Sequence, residues 1–206
     1  MNETPDPRAF FTETLPAQFN RSLAKQETAF ETAQRILEGM RSVDATLRFE
    51  LRGNGGGEFY VNLEGGRSRA SEIALQEPFL TLALDRSDFE PLWREAGDDV
   101  LGFLGGVAGI GAELRLTQQR VDLLRGLSGT LCFALEGENG FTLWVHLGGD
   151  SPAAEAETTL RVETGTYRLL RDGKTDPQQA FMDGTIRVEG NLELAMHLAL
   201  AVMSPD

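Results

Sequence analysis

The sequence predicts an α+β chain in which helices alternate with β-hairpins, arranged as two similar helix-first modules. Short stretches of strict apolar–polar alternation recur, each bounded by Gly, Asn or Asp. Longer stretches place apolar residues three and four positions apart. The pattern of the first half then returns in the second at an offset of about 84 residues.

Residues 9 to 40 read as helical. Within them Ala24 to Met40 is a run of good helix formers with Ala29, Phe30, Ala33, Ile36, Leu37 and Met40 at helical spacing, and Gly39 stands near its end. Thr46-Leu47-Arg48-Phe49-Glu50-Leu51 alternates as a half-buried strand. Gly53 to Gly57 turns the chain into a second strand, Phe59 to Leu63, and Gly65-Gly66 follows, so the two strands form a hairpin. Phe79 to Leu84 is a third strand. It runs into Asp85-Arg86-Ser87-Asp88, a capping signal for a short helix over Phe89 to Ala96.

The second half repeats this plan. A helix from about Leu114 to Leu124 precedes a strand over Thr130 to Leu135. Gly137-Glu138-Asn139-Gly140 turns into Phe141 to Leu147, closed by Gly148-Gly149. A loop over Asp150 to Glu157, a strand over Thr159 to Glu163 and a short helix over Tyr167 to Arg171 follow. Thr46 to Leu51 aligns letter by letter with Thr130-Leu131-Cys132-Phe133-Ala134-Leu135. The module boundary falls near residue 112, giving modules 1–112 and 113–206. One larger mixed sheet with two similar hairpins is the alternative reading.

Charge and composition exclude several functions. Nineteen Lys and Arg against 32 Asp and Glu give a net charge of -13. That is the wrong sign for a phosphate backbone, and Arg67-Ser68-Arg69 is the nearest approach to a basic patch, so no nucleic-acid partner is expected. An anionic membrane repels such a chain, which leaves at most transient membrane contact. No apolar run approaches the ~18 residues of a membrane span, and Met1 to Asp6 has neither the basic nor the apolar stretch of a secretion signal. A cytoplasmic location is expected.

Cys132 is the single cysteine, so an intramolecular disulfide and a cysteine-based zinc cluster are excluded. Its alternating surroundings make it a filler of the sheet. His146 and His197 have no metal-ligand partner at the needed spacing, and surface positions are expected for both. Gly105-Gly106-Val107-Ala108-Gly109-Ile110-Gly111 lacks the glycine spacing and the preceding parallel strand of a dinucleotide turn, and reads as a linker or helix junction. Asp98-Asp99 are adjacent, which does not aim them at one site. No serine nucleophile elbow is present. The expectation is a protein that is not an enzyme and has no cofactor and no metal.

From Leu170 onward the order of motifs becomes specific. Gly173-Lys174 makes a turn, and Asp176-Pro177-Gln178-Gln179-Ala180-Phe181 opens a short helix with Asp as cap and Pro at its first position. Asp183-Gly184 ends it, Thr185 to Glu189 alternates as a strand, and Gly190-Asn191 leads into a final helix carrying Ala195-Met196-His197-Leu198. This series resembles the C-terminal half of the SCP-2 sterol transfer family (sterol carrier protein 2), and the resemblance extends over residues 113–203. Ser87-Asp88-Phe89 with Leu92 resembles the family's entry into its post-strand helix. Residues 98–106 stand where the family has its Pro-x-x-Ala-Phe helix but lack both the Pro and the Ala-Phe pair, so the first half resembles a diverged second copy.

The resemblance implies a mostly antiparallel sheet covered by helices, with an apolar tunnel between them. It implies a carrier of a lipid or other apolar small molecule: a fatty acid, an acyl-CoA, or a sterol-like or quinone-like compound. The implied lining is Phe133, Phe141, Leu143, Phe181, Met182, Leu192, Leu194, Met196, Leu198 and Leu200. The final helix is apolar on most faces, so it is either buried or lines a cavity. The alternative is a protein-interaction or scaffold module, or an accessory subunit, with the cavity collapsed and a protein as its partner.

Overall fold

Alternation at the period of a pleated strand, interrupted by Gly-containing turns, builds the sheet. In a computed structural model of the chain, which describes residues 6–97, 100–107, 114–148, 152 and 155–204, the chain divides into two compact units, Met1–Glu38 and Gly39–Asp206. The first unit is helical. A short helix α1 (Pro7–Ala9) and a π-helical stretch (Phe10–Thr14) lead into the long helix α2 (Leu15–Arg41). None of the described residues of α2 is buried.

The second unit carries β1 (Ala45–Arg52), β2 (Gly57–Glu64), β3 (Arg67–Ser71), β4 (Pro78–Asp85), α3 (Phe89–Ala96), α4 (Val100–Val107), α5 (Gln118–Arg125), β5 (Gly129–Glu136), β6 (Phe141–Leu147), β7 (Thr158–Glu163), α6 (Thr164–Arg171), α7 (Pro177–Met182), β8 (Ile186–Gly190) and α8 (Leu192–Met203). All eight strands join one sheet in the order β3-β2-β1-β4-β6-β5-β7-β8. The sheet is mixed and mostly antiparallel, its two parallel pairs being β1·β4 and β5·β7.

The same topology occurs twice. Strand β1 pairs antiparallel with β2 and parallel with β4; β5 pairs antiparallel with β6 and parallel with β7. A parallel neighbour needs a crossover connection, whereas a hairpin neighbour needs only a tight turn. The seam between the two sets is β4·β6, with Leu80 opposite Leu147 and Leu82 opposite Val145. The expected boundary near residue 112, the Asp98-Asp99 pair, and Ala108 to Gly111 of the glycine-rich run lie outside the described residues.

Odd-numbered residues of β5 and β6 face the helices: Leu131, Phe133 and Leu135 with Phe141, Leu143, Val145 and Leu147, all buried. They pack with Leu92, Phe103, Val121, Leu124, Tyr167, Leu170, Leu198 and Val202 in one apolar core. The opposite face carries cross-strand ion pairs, among them Arg48–Glu58 at 2.6 Å and Arg187–Glu136 at 3.0 Å. One packed and one largely polar face is the usual arrangement of a sheet rich in antiparallel pairs.

His146 corrects an expectation. It is buried, not at the surface, because it stands on the central strand β6 with Thr81 of β4 and Thr130 of β5 beside it in register. Its Nδ1 lies 2.9 Å from the Thr130 hydroxyl. His197 is exposed, as expected. Two elements also differ. Strand β3 has no apolar alternation and pairs only with β2, and α5 starts at Gln118 because the Thr117 side chain accepts a hydrogen bond from the Arg120 N–H.

Candidate functional site

Helices α5 and α8 shape the described concavity, and α7 presents Phe181 and Met182 at the surface. The cap on α8 is Asn191, whose side chain accepts from the Leu194 N–H at 3.2 Å. The Asp176 side chain caps α7 and accepts from the Gln179 N–H at 3.0 Å, with Pro177 at the first helical position. Asn191 is held in turn by its own N–H, which donates to the Glu157 carbonyl at 2.9 Å. The start of α8 is therefore fixed to the edge of the sheet.

Helix α8 splits its apolar residues between two environments. Leu194, Ala195, Leu198, Ala201 and Val202 are buried, whereas Leu192, Met196, Leu200 and Met203 form an outer stripe 44–62% exposed. Beside α5 this stripe borders an open groove of about 680 Å³ lined by Leu123, Gly126, Leu127, His197, Leu200, Ala201, Met203 and Ser204. The groove falls within the volume range of small-molecule sites. The buried Arg120 of α5 ties down its far end by donating from Nη2 to the Ser204 carbonyl at 2.6 Å.

The ten residues named from sequence fall into two sets. Phe133, Phe141, Leu143, Leu194 and Leu198 are buried between sheet and helices. Phe181, Met182, Leu192, Met196 and Leu200 are exposed on α7 and α8, and Leu200 is the member that lines the groove. Two members of the buried set, Phe133 and Phe141, belong to a cluster of rings around Phe103. Phe103 of α4 lies 6.0 Å from Phe133, 5.1 Å from Phe141 and 5.0 Å from Tyr167, centroid to centroid. Gly106 of α4 allows a close approach to α6, since a Cβ there would sit 3.1 Å from the Tyr167 ring. Part of the glycine-rich run thus serves close helix packing.

Sequence reasoning missed the α5 side of the groove. Leu123 and Leu127 belong to the same wall, one turn apart, and that spacing was the available signal. It also missed Glu95. This buried carboxylate on α3 receives Arg168 Nε of α6 at 3.0 Å, and Arg171 Nη1 donates to its backbone carbonyl at 3.0 Å. The Arg168 hydrogen bonds hold the Glu95 carboxyl below the usual carboxylate range, against the burial that pushes it up. Burial pushes the Cys132 thiol up, which suits a packed side chain rather than a nucleophile. Among the described residues no group of His, Cys, Asp and Glu could hold a metal ion, and no helix is long and apolar enough to cross a membrane.

Comparison with known proteins places this architecture. Residues 112–202 match the model of the SCP-2 sterol transfer family. Among curated proteins, hydroxysteroid dehydrogenase-like protein 2 of Bos taurus is 30% identical over 84 residues, covering 37% of this chain and 20% of the relative. The Homo sapiens protein of that name matches over the same span at 30% identity, 37% of this chain and 20% of the relative. The chain therefore spans about a fifth of the length of the curated relatives it matches. Among solved structures, sterol carrier protein 2 from Yarrowia lipolytica is 21% identical, with a TM-score of 0.33 over 50% of this chain and 95% of that one. Sterol carrier protein 2-like 2 from Aedes aegypti is 17% identical, with a TM-score of 0.31 over 55% and 95%.

Proposed function

We propose that the chain is a non-enzymatic carrier of a lipid or similar apolar molecule, taken up at the α5/α8 groove. The observation that carries this reading is the apolar groove itself, bordered by the uncovered stripe Leu192, Met196, Leu200 and Met203. An exposed apolar strip of this kind marks a binding surface. The family match over residues 112–202 supports the same class of ligand.

Magnitudes decide how deep the ligand sits. A chain of about 14 methylenes gains at most ~11 kcal/mol on full burial. A groove open along one side delivers about half of that, and association removes ~4 kcal/mol or more. Little surplus remains in the groove alone. Tight binding requires the ligand to pass under α8, where Leu194 and Leu198 separate to admit it against Phe133, Phe141 and Leu143. In this reading the exposed and buried sets are the mouth and floor of one site. The protein works in the cytoplasm, and residues 1–112 and 113–206 are two related modules built into one sheet.

Native mass spectrometry of the freshly purified chain, with lipid extraction, tests this directly. The expected result is a lipid near one per chain, and binding of a fluorescent fatty acid that weakens at least tenfold in Leu200→Glu and Met196→Glu while melting is unchanged. A folded protein that takes up no fatty acid, sterol or quinone at about 100 μM, a concentration that detects even weak sites, overturns the proposal.

A further inference from the structure

Strand β3 forms one rim of the sheet, with β2 on one side and no strand on the other. It follows the two-residue turn Gly65-Gly66, both glycines at positive φ (57° and 74°). Glu64 and Arg67 face each other across that turn and form its hydrogen-bonded pair, after which bonded and non-bonded pairs alternate. The N–H and C=O groups of Arg67 and Arg69 therefore point to β2, and those of Ser68 and Ala70 point outward. The far end of the strand is held in place. The buried Asn62 of β2 donates from Nδ2 to the Ser71 hydroxyl at 2.9 Å and to the Ile73 carbonyl at 3.2 Å. Register also sorts the side chains. Arg67 and Arg69 share a face with Glu64 and Asn62, and Ser68 and Ala70 share the other with the half-buried Leu63 and Val61. A third arginine joins the first two: a Cβ on Gly66 would sit 3.0 Å from Cγ of Arg41. Arg41, Arg67 and Arg69 are exposed, and none forms an ion pair among the described residues. Three unpaired guanidinium groups thus gather at one rim of a chain whose net charge is -13.

We infer that the β3 rim receives an extended acidic segment of a partner protein, added to the sheet as a further strand. The outward backbone groups of Ser68 and Ala70 supply its hydrogen bonds. In an antiparallel addition Arg67 and Arg69 fall in the non-hydrogen-bonded pairs, where facing side chains come closest. Those positions call for Asp or Glu. Partner residues over Ser68 and Ala70 meet small side chains on the Val61 and Leu63 face, which suits Val or Ile. The rim therefore reads a segment that alternates acidic with β-branched residues. Glu64 and Glu72 are the acidic neighbours, and the three arginines outnumber them. The β3 strand of a second copy is the poorer occupant, because pairing about Ser68 sets Arg67 of one copy against Arg69 of the other. An anionic membrane is poorer too: it leaves the outward backbone groups without a strand to pair with, and the chain's overall charge repels it.

Fluorescence anisotropy of the labelled peptide Thr-Glu-Val-Glu-Val-Glu-Thr, titrated with the full chain, tests the inference. The expected result is saturable binding at one peptide per chain that weakens as salt rises. The same peptide with Gln for each Glu is expected to bind at least about tenfold more weakly, the scale of two cross-strand charge pairs. Arg67→Glu with Arg69→Glu is expected to lose at least as much. Ala70→Pro removes an outward N–H and leaves every charge in place, and is expected to lose binding as well. All three residues are exposed, so the thermal transition should stay at its parental value. Amide exchange at Ser68 and Ala70 should slow on binding, while Arg69, already paired to β2, stays unchanged. No binding at about 1 mM peptide, equal affinity for the Gln peptide, or full binding by Ala70→Pro overturns the proposal. So does a chain that, in place of binding the peptide, self-associates through β3 or adsorbs to phosphatidylserine vesicles through Arg67 and Arg69. None of these readouts depends on lipid carriage, so the two proposals fail separately.

Discussion

At the scale of single residues, the buried pair of Glu95 and Arg168 is the strongest polar commitment in the second unit. Its two sides are not equivalent. The Glu95 side chain is 3% exposed, whereas Arg168 is 42% exposed. Removing Glu95 lets Arg168 turn to water; removing Arg168 strands a buried carboxylate with Asn139 Nδ2 at 3.4 Å. Arg168→Met is therefore expected to destabilise by about 3 kcal/mol, the low end for a broken buried pair, and Glu95→Gln by about 1 kcal/mol. The sign with pH follows from the lowered Glu95 carboxyl. Its contribution is fully present above the ordinary carboxylate range and is lost as pH falls through the depressed native value. Urea midpoints measured from pH 7 down to 3 should decline more steeply in the parent than in Glu95→Gln. Equal slopes would refute the assignment. Neither residue was legible from sequence, because contact between α3 and α6 depends on a crossover that no local pattern encodes.

At the scale of elements, the hairpins were readable because each strand alternates and each turn carries its glycines. What escaped had no such signal. Strand β3, Arg-Ser-Arg-Ala-Ser, forms by backbone pairing to β2 on one side, with its side chains largely in solvent. The parallel pairing of β1 with β4 and of β5 with β7 was also invisible, since strand alternation is the same in either direction. Five of the ten expected lining residues are buried, Phe133, Phe141 and Leu143 on strands and Leu194 and Leu198 on α8, and neither strand alternation nor helical spacing distinguishes an apolar side chain that faces protein from one that faces a ligand. The β8-to-α8 junction gives an element-scale test. Gly190 has φ +94°, and a Cβ there would lie 2.1 Å from the Glu157 carbonyl oxygen, the same oxygen that accepts the Asn191 N–H. Gly190→Ala is expected to cost at least ~2 kcal/mol through strain and backbone displacement. It should also loosen α8, so that ligand affinity falls together with the urea midpoint. An alanine variant with parental stability would show that the junction is more yielding than its geometry implies.

At the scale of the whole molecule, the strands before and after the middle of the chain do not close two separate sheets but join one. Each set of strands presents an edge to the other, β4 from the first and β6 from the second, and the contact is the centre of the sheet. Leu80, Thr81, Leu82 and Ala83 of β4 are all at most 1% exposed, and Val145 and Leu147 opposite them are fully buried. Cutting the chain between the halves would expose this row on both pieces, together with the unpaired N–H and C=O groups of a strand edge. Such an edge is apolar, open to pairing and without the charges that natural edges use against aggregation. The outer strands differ in this respect: β3 carries Arg67 and Arg69, and β8 carries Arg187 and Glu189. The fragment 113–206 is therefore expected to aggregate or remain unfolded, although it contains almost all of the family match. Co-expression with 1–112 should rescue it, because the β4 edge then returns to β6. Solubility, far-UV circular dichroism and a cooperative urea transition check this. If fragment 113–206 alone is a soluble monomer with a cooperative transition, β4·β6 is a contact between self-sufficient modules rather than the centre of a shared core.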